Sequence, residues 1–461
     1  MPNTALFECQ SCGSKYPKWK GQCEACHEWN TLVETKPIKE NKLKYNYNQE
    51  STAQALAEVV QEPVFYYKTN ITELDRVLGE GLVKGSIVLL GGEPGIGKST
   101  LSLQACQECA KQSMKVLYIS AEESEAQIKS RAMRLDNGKI AETLWVFSQT
   151  NMMAIIKECE RLDPDIVLLD SIQVVQHPEL SSLEGTVSQV RHCATTLINW
   201  VKAHNKSAIV IGHITKDGQI AGPKVLEHLV DAILYLEGDR HFQNRILRCH
   251  KNRYGSTDHI GLFEMKENGL IPIKDPSQAF IETSQDASPG SVIVPYTQGN
   301  RVILLEIQAL VIESGYGMAK RNFVGINPNR ANLLIAALDK LCYLKLSAHD
   351  IFLTVIGGFS ITDPSADLAI AVALISSLKQ QSVIDRVGIC GEVGLTGEIR
   401  PVSHIDKRLI ELKKCGFSGG IIPKKNALSP KNLDQFRYHQ VSYIKDVLHY
   451  IFMKDYEKQH A

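Results

Sequence analysis

The chain has 461 residues, with 51 Lys and Arg against 51 Asp and Glu and a hydrophobic content of 44%. That length predicts about three domains, and the ordinary composition excludes a disordered, collagenous or coiled-coil chain. A net charge of zero excludes a uniformly basic nucleic-acid binder, so any contact with a polyanion must come from local patches.

No apolar run approaches the roughly 20 residues of a membrane-spanning helix. Met1–Glu8 carries no charged segment ahead of an apolar stretch, so no secretory signal is read and the cytoplasm is the expected location. Cysteine usage agrees with a reducing compartment. Cys106, Cys109, Cys159, Cys193, Cys249, Cys342, Cys390 and Cys415 are scattered among apolar neighbours, as buried thiols are.

Residues 1–33 form a first module around Cys9-x2-Cys12 and Cys23-x2-Cys26. Each pair presents two thiolates from a tight turn, and two pairs complete a tetrahedral S4 shell for Zn2+. A piece of ~30 residues buries too little core to fold alone, and structural zinc supplies on the order of 10–16 kcal/mol. With four protein ligands the site is closed, hence structural. Trp19 and Trp29, among Tyr16, Lys18 and Lys20, read either as the module's own small core, the favoured reading, or as stacking partners for single-stranded nucleic acid. Residues 34–60 are polar and aperiodic, a connector.

From 61 to 273, short β-branched runs alternate with amphipathic stretches. Ser86–Leu90, Val116–Ser120, Asp165–Asp170, Ala208–Gly212 and Ala232–Leu236 read as buried parallel strands, and Thr100–Lys111 and Met153–Leu162 as helices. This alternation predicts an α/β fold. Gly92-Glu93-Pro94-Gly95-Ile96-Gly97-Lys98-Ser99-Thr100 is G-x4-G-K-S between a strand and a helix. In that pattern backbone amides curl around the β-phosphate of ATP, Lys98 bridges the β- and γ-phosphates, and Ser99 offers its hydroxyl to Mg2+. Asp170, ending an apolar strand, is the expected second Mg2+ anchor. Glu122 and Glu123 end another strand; Glu122 is assigned as the base acting on the attacking water, with Glu123 kept as the alternative.

Residues 274–290 are polar with two prolines, a second connector. Residues 291–461 mix strands (Val302–Ile312, Asp350–Ile356) and helices (Ser365–Leu378, His404–Lys414), as an α+β or α/β domain does.

Three features occur together: FECQSCGSKYPKWKGQC, GGEPGIGKST and Lys251-Asn252-Arg253-Tyr254-Gly255. Over nearly the whole chain they resemble the bacterial RadA/Sms DNA-repair family. The resemblance implies a zinc finger, a RecA-like P-loop ATPase core and a Lon-protease-like C-terminal domain. It further implies a DNA-stimulated ATPase of helicase type that promotes branch migration in recombination. Its partners would be single-stranded and branched DNA, the RecA recombinase, and copies of itself in a hexameric ring.

By that resemblance Lys251 and Arg253, two apart in an extended segment, reach the γ-phosphate held by a neighbouring subunit. Such a cation in trans speeds hydrolysis by about 10^3–10^5. His213 falls where RecA-like ATPases place a polar γ-phosphate sensor, a core histidine being the bland alternative. The following loop, with Lys216 and Lys224, matches the loop RecA-like proteins lay against single-stranded DNA; a second candidate loop is Val174–Thr186. In the C-terminal domain Ser365 stands at the nucleophile position of Lon-type proteases. The lysine of their Ser–Lys dyad falls on Asp406, and Asp367 replaces a glycine. The domain is therefore expected to be a proteolytically inactive scaffold, with Ser365 capping its helix and Lys320, Arg321, Arg330, Lys407 and Arg408 consistent with a DNA surface. Two rival readings remain, an ATP-dependent Lon-type serine protease and an ATP-binding switch that is not a motor.

Overall fold

The computed structural model describes residues 6–9, 14–25, 27–35, 55, 57, 63–180, 182–212, 225–238, 243–279, 288–315, 319–384, 386–428, 433 and 436–451. Two compact units emerge, Met1–Pro272 and Ile273–Ala461.

Within the first unit, Leu6–Cys9 lies between Lys15–Tyr16 and Leu32–Thr35 in an antiparallel three-stranded sheet. Its core is Cys9, Cys23 and Leu32, with Phe7 and Tyr16 against it. Trp19 and Trp29 are not that core: they are 55% and 67% exposed. Both indoles lie against Gly21, within van der Waals reach of it.

The rest of this unit is built on a nine-stranded sheet. Six strands run parallel, in the order Ala232–Glu237, Ile87–Gly92, Ser207–Ile211, Ile166–Asp170, Val116–Ser120, Leu144–Ser148. Three antiparallel strands, Asn244–Asn252, Ile260–Lys266 and Gly269–Pro272, extend the edge beyond Ala232–Glu237. The four inner strands are predominantly apolar because both faces are covered, whereas the edge strand Leu144–Ser148 is only partly buried. On Ile87–Gly92, Val88 and Leu90 join the core beneath the helix Lys98–Lys111. Ile87 and Leu89 join the opposite core, with Val190, Leu197 and Trp200 of the helix Val187–Ala203.

The second unit is a seven-stranded sheet in the order Arg321–Val324, His349–Val355, Arg301–Glu313, Ser291–Gln298, Val387–Ile389, Gly419–Pro423, Arg437–Val441. The helix Asp367–Lys379 is buried from Asp367 through Ser376. It is preceded by a 3-10 turn, Pro364–Ala366, and this corrects the expectation for Ser365. Asp363, not Ser365, is the capping residue: its carboxylate accepts from the Ser365 amide at 2.9 Å.

Scattered thiols behave as small hydrophobes. Cys106, Cys109, Cys159, Cys193, Cys249 and Cys390 are buried, Cys342 and Cys415 half-buried. Burial pushes the Cys109, Cys159 and Cys193 thiols up to about 12. Among the described residues no helix is long and apolar enough to cross a membrane.

Candidate active site

In an open parallel sheet the loops at the carboxyl ends of the strands form the ligand crevice. The loop after Ile87–Gly92 turns there into the helix Lys98–Lys111. Gly92 (φ 153°), Gly95 (φ 79°) and Gly97 (φ 118°) hold conformations that side chains disfavour. At Gly92 space forbids a side chain as well, since a Cβ would come within 2.5 Å of the Leu236 carbonyl oxygen. No side chain caps this helix, so its first amides face the crevice and make an anion site with the helix dipole. Behind the loop, the buried Arg245 donates from Nε to the Ile96 carbonyl at 3.1 Å.

Lys98 is 4% exposed, its ammonium donating to the Gly92 and Glu93 carbonyls at 2.8 and 2.9 Å. Burial lowers its pKa to about 8, against the pull of Asp170, Glu122 and Glu93. Asp170, on the neighbouring strand end, is buried; desolvation pushes its carboxyl up, opposed by hydrogen bonds from the Tyr118 and Ser99 hydroxyls. A lysine on the loop, a hydroxyl at the first helical turn and a desolvated carboxylate bonded to it fit a phosphate chain with Mg2+: Lys98 for the phosphates, Ser99 and Asp170 for the ion. Thr100 follows in the first turn of the helix, and Ile96 packs into the core.

The two acids differ. Glu122 is exposed at the crevice and its Oε1 accepts from the Ser171 hydroxyl. Glu123 is tied to Arg131 of the helix Glu125–Leu135. Ser171 and Arg131 were not singled out from sequence, nor were Tyr118 and Arg245. A phenol inside the otherwise apolar run Val116–Ile119 is the one signal that was available.

Lys251 and Arg253 do not join this crevice. Lys251 Nζ donates to the carbonyls of Glu227 and Val230 at 2.7 and 2.8 Å. Arg253 pairs with Asp231 at 3.2 Å, and the buried Asp231 also receives Lys202 at 2.7 Å and the Ile87 amide at 3.0 Å. Ile87 begins the strand that ends in the phosphate loop, so both cations stand at the amino end of the parallel strands. Five residues at ~3.3 Å each place them ~17 Å along the strand from the loop.

His213, Lys216 and Lys224 lie outside the described residues, as do Cys12 and Cys26. Cys9 and Cys23 are buried side by side in the small module's core, with the Tyr16 hydroxyl 3.3 Å from Cys23 Sγ and the Thr31 hydroxyl 3.2 Å from Cys9 Sγ. Buried thiols flanked by hydroxyls suit thiolate ligands of Zn2+.

In the second unit Ser365 is buried and donates from Oγ to Asp363 at 2.8 Å. Arg408 is not a surface residue: fully buried, it bonds Asp363 at 3.0 Å, the Ser403 carbonyl at 2.9 Å and the Pro295 carbonyl. Arg330 likewise is committed to the buried Asp367, in a pair with the Val393 amide as a further donor. Lys320, Arg321 and Lys407 remain exposed.

Three family patterns match parts of the chain. The pattern of the KaiC ATPase family matches residues 67–143, that of a rubredoxin metal-binding domain residues 7–34, and that of the Lon protease (S16) C-terminal proteolytic domain residues 339–454. A protein of Listeria monocytogenes named DNA repair protein RadA is 44% identical over 425 residues, 92% of this chain and 93% of its own. Proteins of the same name from Streptococcus pyogenes (42% over 433 residues, 94% and 95% covered) and Helicobacter pylori (43% over 425 residues, 92% and 94% covered) are similar to it in the same way.

Proposed function

This chain belongs to the family of the bacterial DNA repair protein RadA, and on that premise we propose that it is a DNA-dependent ATPase of helicase type. It assembles into a closed ring, hexameric by family resemblance, and drives branch migration on recombination intermediates in the cytoplasm. The loop amides and Lys98 bind the phosphates of ATP, and Ser99 and Asp170 hold Mg2+, which supplies charge neutralisation on the phosphates. Glu122, steadied by Ser171, accepts the proton of the attacking water. Glu123, engaged by Arg131, positions the turn that carries Glu122. His213 senses the γ-phosphate, and Lys216 and Lys224 meet DNA phosphates. Cys9, Cys12, Cys23 and Cys26 bind Zn2+ as a structural ion. The association with RecA rests on the family resemblance.

The observation that carries the ring is the place of Lys251 and Arg253. At the amino end of the strands they stand ~17 Å from their own phosphate loop, so a role at a γ-phosphate is open to them only on an adjoining copy, with Lys251 leaving the Glu227 and Val230 carbonyls and Arg253 leaving Asp231. The test is complementation. Lys98→Ala and Lys251→Ala are each expected to abolish single-stranded-DNA-stimulated ATP hydrolysis. Mixing the two proteins restores part of it, because some seams then combine an intact Lys98 with an intact Lys251. If mixtures stay dead while both variants still assemble, the shared site is refuted.

A protease is the weaker reading, because the residues around Ser365 supply it with a carboxylate and an arginine rather than an amine. Casein incubated with the full chain, ATP and DNA is expected to stay intact. An ATP-binding switch differs from a motor in showing no several-fold rise in hydrolysis when single-stranded DNA is added.

A further inference from the structure

Tyr118 sits in the middle of a strand, flanked by the apolar Leu117 and Ile119. Its side chain is fully buried, yet it carries a hydroxyl. A buried phenol needs a partner, and here that partner is a carboxylate. Tyr118 donates to Asp170 Oδ2 at 2.7 Å. The register explains the reach. Val116–Ser120 and Ile166–Asp170 pair in parallel, with Tyr118 opposite Leu168 and Ser120 opposite Asp170. The ring therefore lies back along the strands by two residues, ~6.6 Å, and its oxygen meets Asp170 from beneath.

Asp170 is 7% exposed, so a carboxylate there cannot draw on bulk water for its hydrogen bonds. Its bonding partners of opposite character are the Tyr118 and Ser99 hydroxyls. A phenol bonded to one oxygen at charge-assisted length fixes the rotation of the carboxylate about its own axis. With that rotation fixed, the carboxylate keeps its orientation toward Ser99 and the mouth of the crevice. Without the phenol the carboxylate keeps only the Ser99 hydroxyl of these two donors, and one bond does not fix its rotation. Asp170 and Ser99 then no longer present a set geometry to the cation.

We propose that Tyr118 is a positioning residue for the divalent cation of the nucleotide site: its hydroxyl orients Asp170 so that Asp170 and Ser99 together recognise the Mg2+ of bound ATP. This rests on the reading of the site as an Mg2+–ATP site. It assigns a role to a residue on the far side of the carboxylate from the ligand.

Tyr118→Phe removes one oxygen and keeps the ring that packs the core. ATP binding to the full-length protein is measured by calorimetry twice, in excess EDTA and in saturating Mg2+. The ratio of the two affinities is the gain linked to the cation. For the wild type this gain is expected to be large. For Tyr118→Phe the EDTA affinity stays within about twofold, because Lys98 and the loop amides are untouched. The Mg2+-linked gain falls about tenfold, the order expected for one hydrogen bond to a charged group. An unchanged gain in Tyr118→Phe overturns the proposal. So does an equal loss in EDTA and in Mg2+, which is the mark of a packing role. A wild-type chain that binds ATP with no Mg2+-linked gain overturns the underlying reading of the site, and this proposal with it.

Discussion

Two adjacent acids follow the strand Val116–Ser120, and their surroundings predict opposite consequences of the same substitution. Glu122→Gln keeps an oxygen for the Ser171 hydroxyl and so keeps the local geometry. It removes the one property that matters for catalysis, the capacity to take a proton. General-base contributions run to about 10^2–10^4 in rate, so single-turnover hydrolysis at saturating Mg2+–ATP and single-stranded DNA is expected to slow by that factor. Glu123→Gln breaks the ion pair with Arg131, whose side chains are 32% and 20% exposed. Pairs so situated contribute about 0.2–1 kcal/mol, and even if the whole of that acted on the transition state the rate would change about fivefold at most. Nucleotide affinity, measured separately, is expected to be close to wild type in both. A chain in which Glu123→Gln is the slow variant and Glu122→Gln the mild one refutes the assignment and the argument from Arg131 that supports it.

The buried pair in the second unit offers a stability test. Arg330→Met leaves Asp367, whose side chain is 2% exposed, without its cation. About 3 kcal/mol is expected to be lost from that unit's urea unfolding, with Asp367→Asn in the same chain recovering part of it. His177 and His192 stack edge to face at 4.4 Å, and burial pushes both rings below the usual histidine range, against the pull of Glu179. The native form therefore resists a proton that the unfolded chain accepts. Stability is whole above about pH 6.5 and falls as the pH drops below it. The acid-side fall in melting temperature is expected to shrink in His177→Gln, and an unaltered profile argues against this source. Replacing Cys9 and Cys23 by Ser is expected to abolish bound zinc, read by atomic absorption. The P-loop unit should keep its melting temperature, since a metal-coupled module of ~30 residues folds with its ion.

What could be read from the sequence was what local pattern determines. Ile166–Asp170 and Val116–Ser120 are buried on both faces, so each is a predominantly apolar run, and both appear where the pattern puts them. G-x4-G-K-S needs no tertiary information, because its glycines and lysine serve a ligand held by the backbone of one loop. The partnerships that sharpen the site join distant positions instead. Tyr118 reaches Asp170 across 52 residues, and Arg245 reaches Ile96 across 149. No periodicity encodes them. Arg408 was misplaced for a related reason. It occupies a helix turn rich in charge, where arginine ordinarily faces water, and only the fold brings Asp363 and two carbonyls to a guanidinium buried beside them. The tryptophans of the small module failed in the other direction. Their size suggested a core, but the buried Cys9 and Cys23 already fill its centre.

The region around Ser365 shows how a serine's neighbours bear on whether it can attack. A serine attacks only if a neighbour can take its proton, and the neighbour best able to do so is a desolvated amine. Here the Ser365 hydroxyl proton points at Asp363. Burial raises that carboxyl, yet the Ser365 amide and hydroxyl and the Arg408 guanidinium outweigh it and hold Asp363 below the ordinary carboxylate range. An acid so stabilised in its charged form is a poorer base than a free one. The second pair, Arg330 with Asp367, fills the neighbouring ground with another fully committed charge. Each cation is matched to an anion, and together they pin the 3-10 turn, the helix Asp367–Lys379 and the strand Glu392–Val393 to one another. Breaking either pair strands a buried charge. With Asp363 held in its charged form and Arg330 spent on Asp367, neither pair offers Ser365 the amine that a Ser–Lys dyad uses.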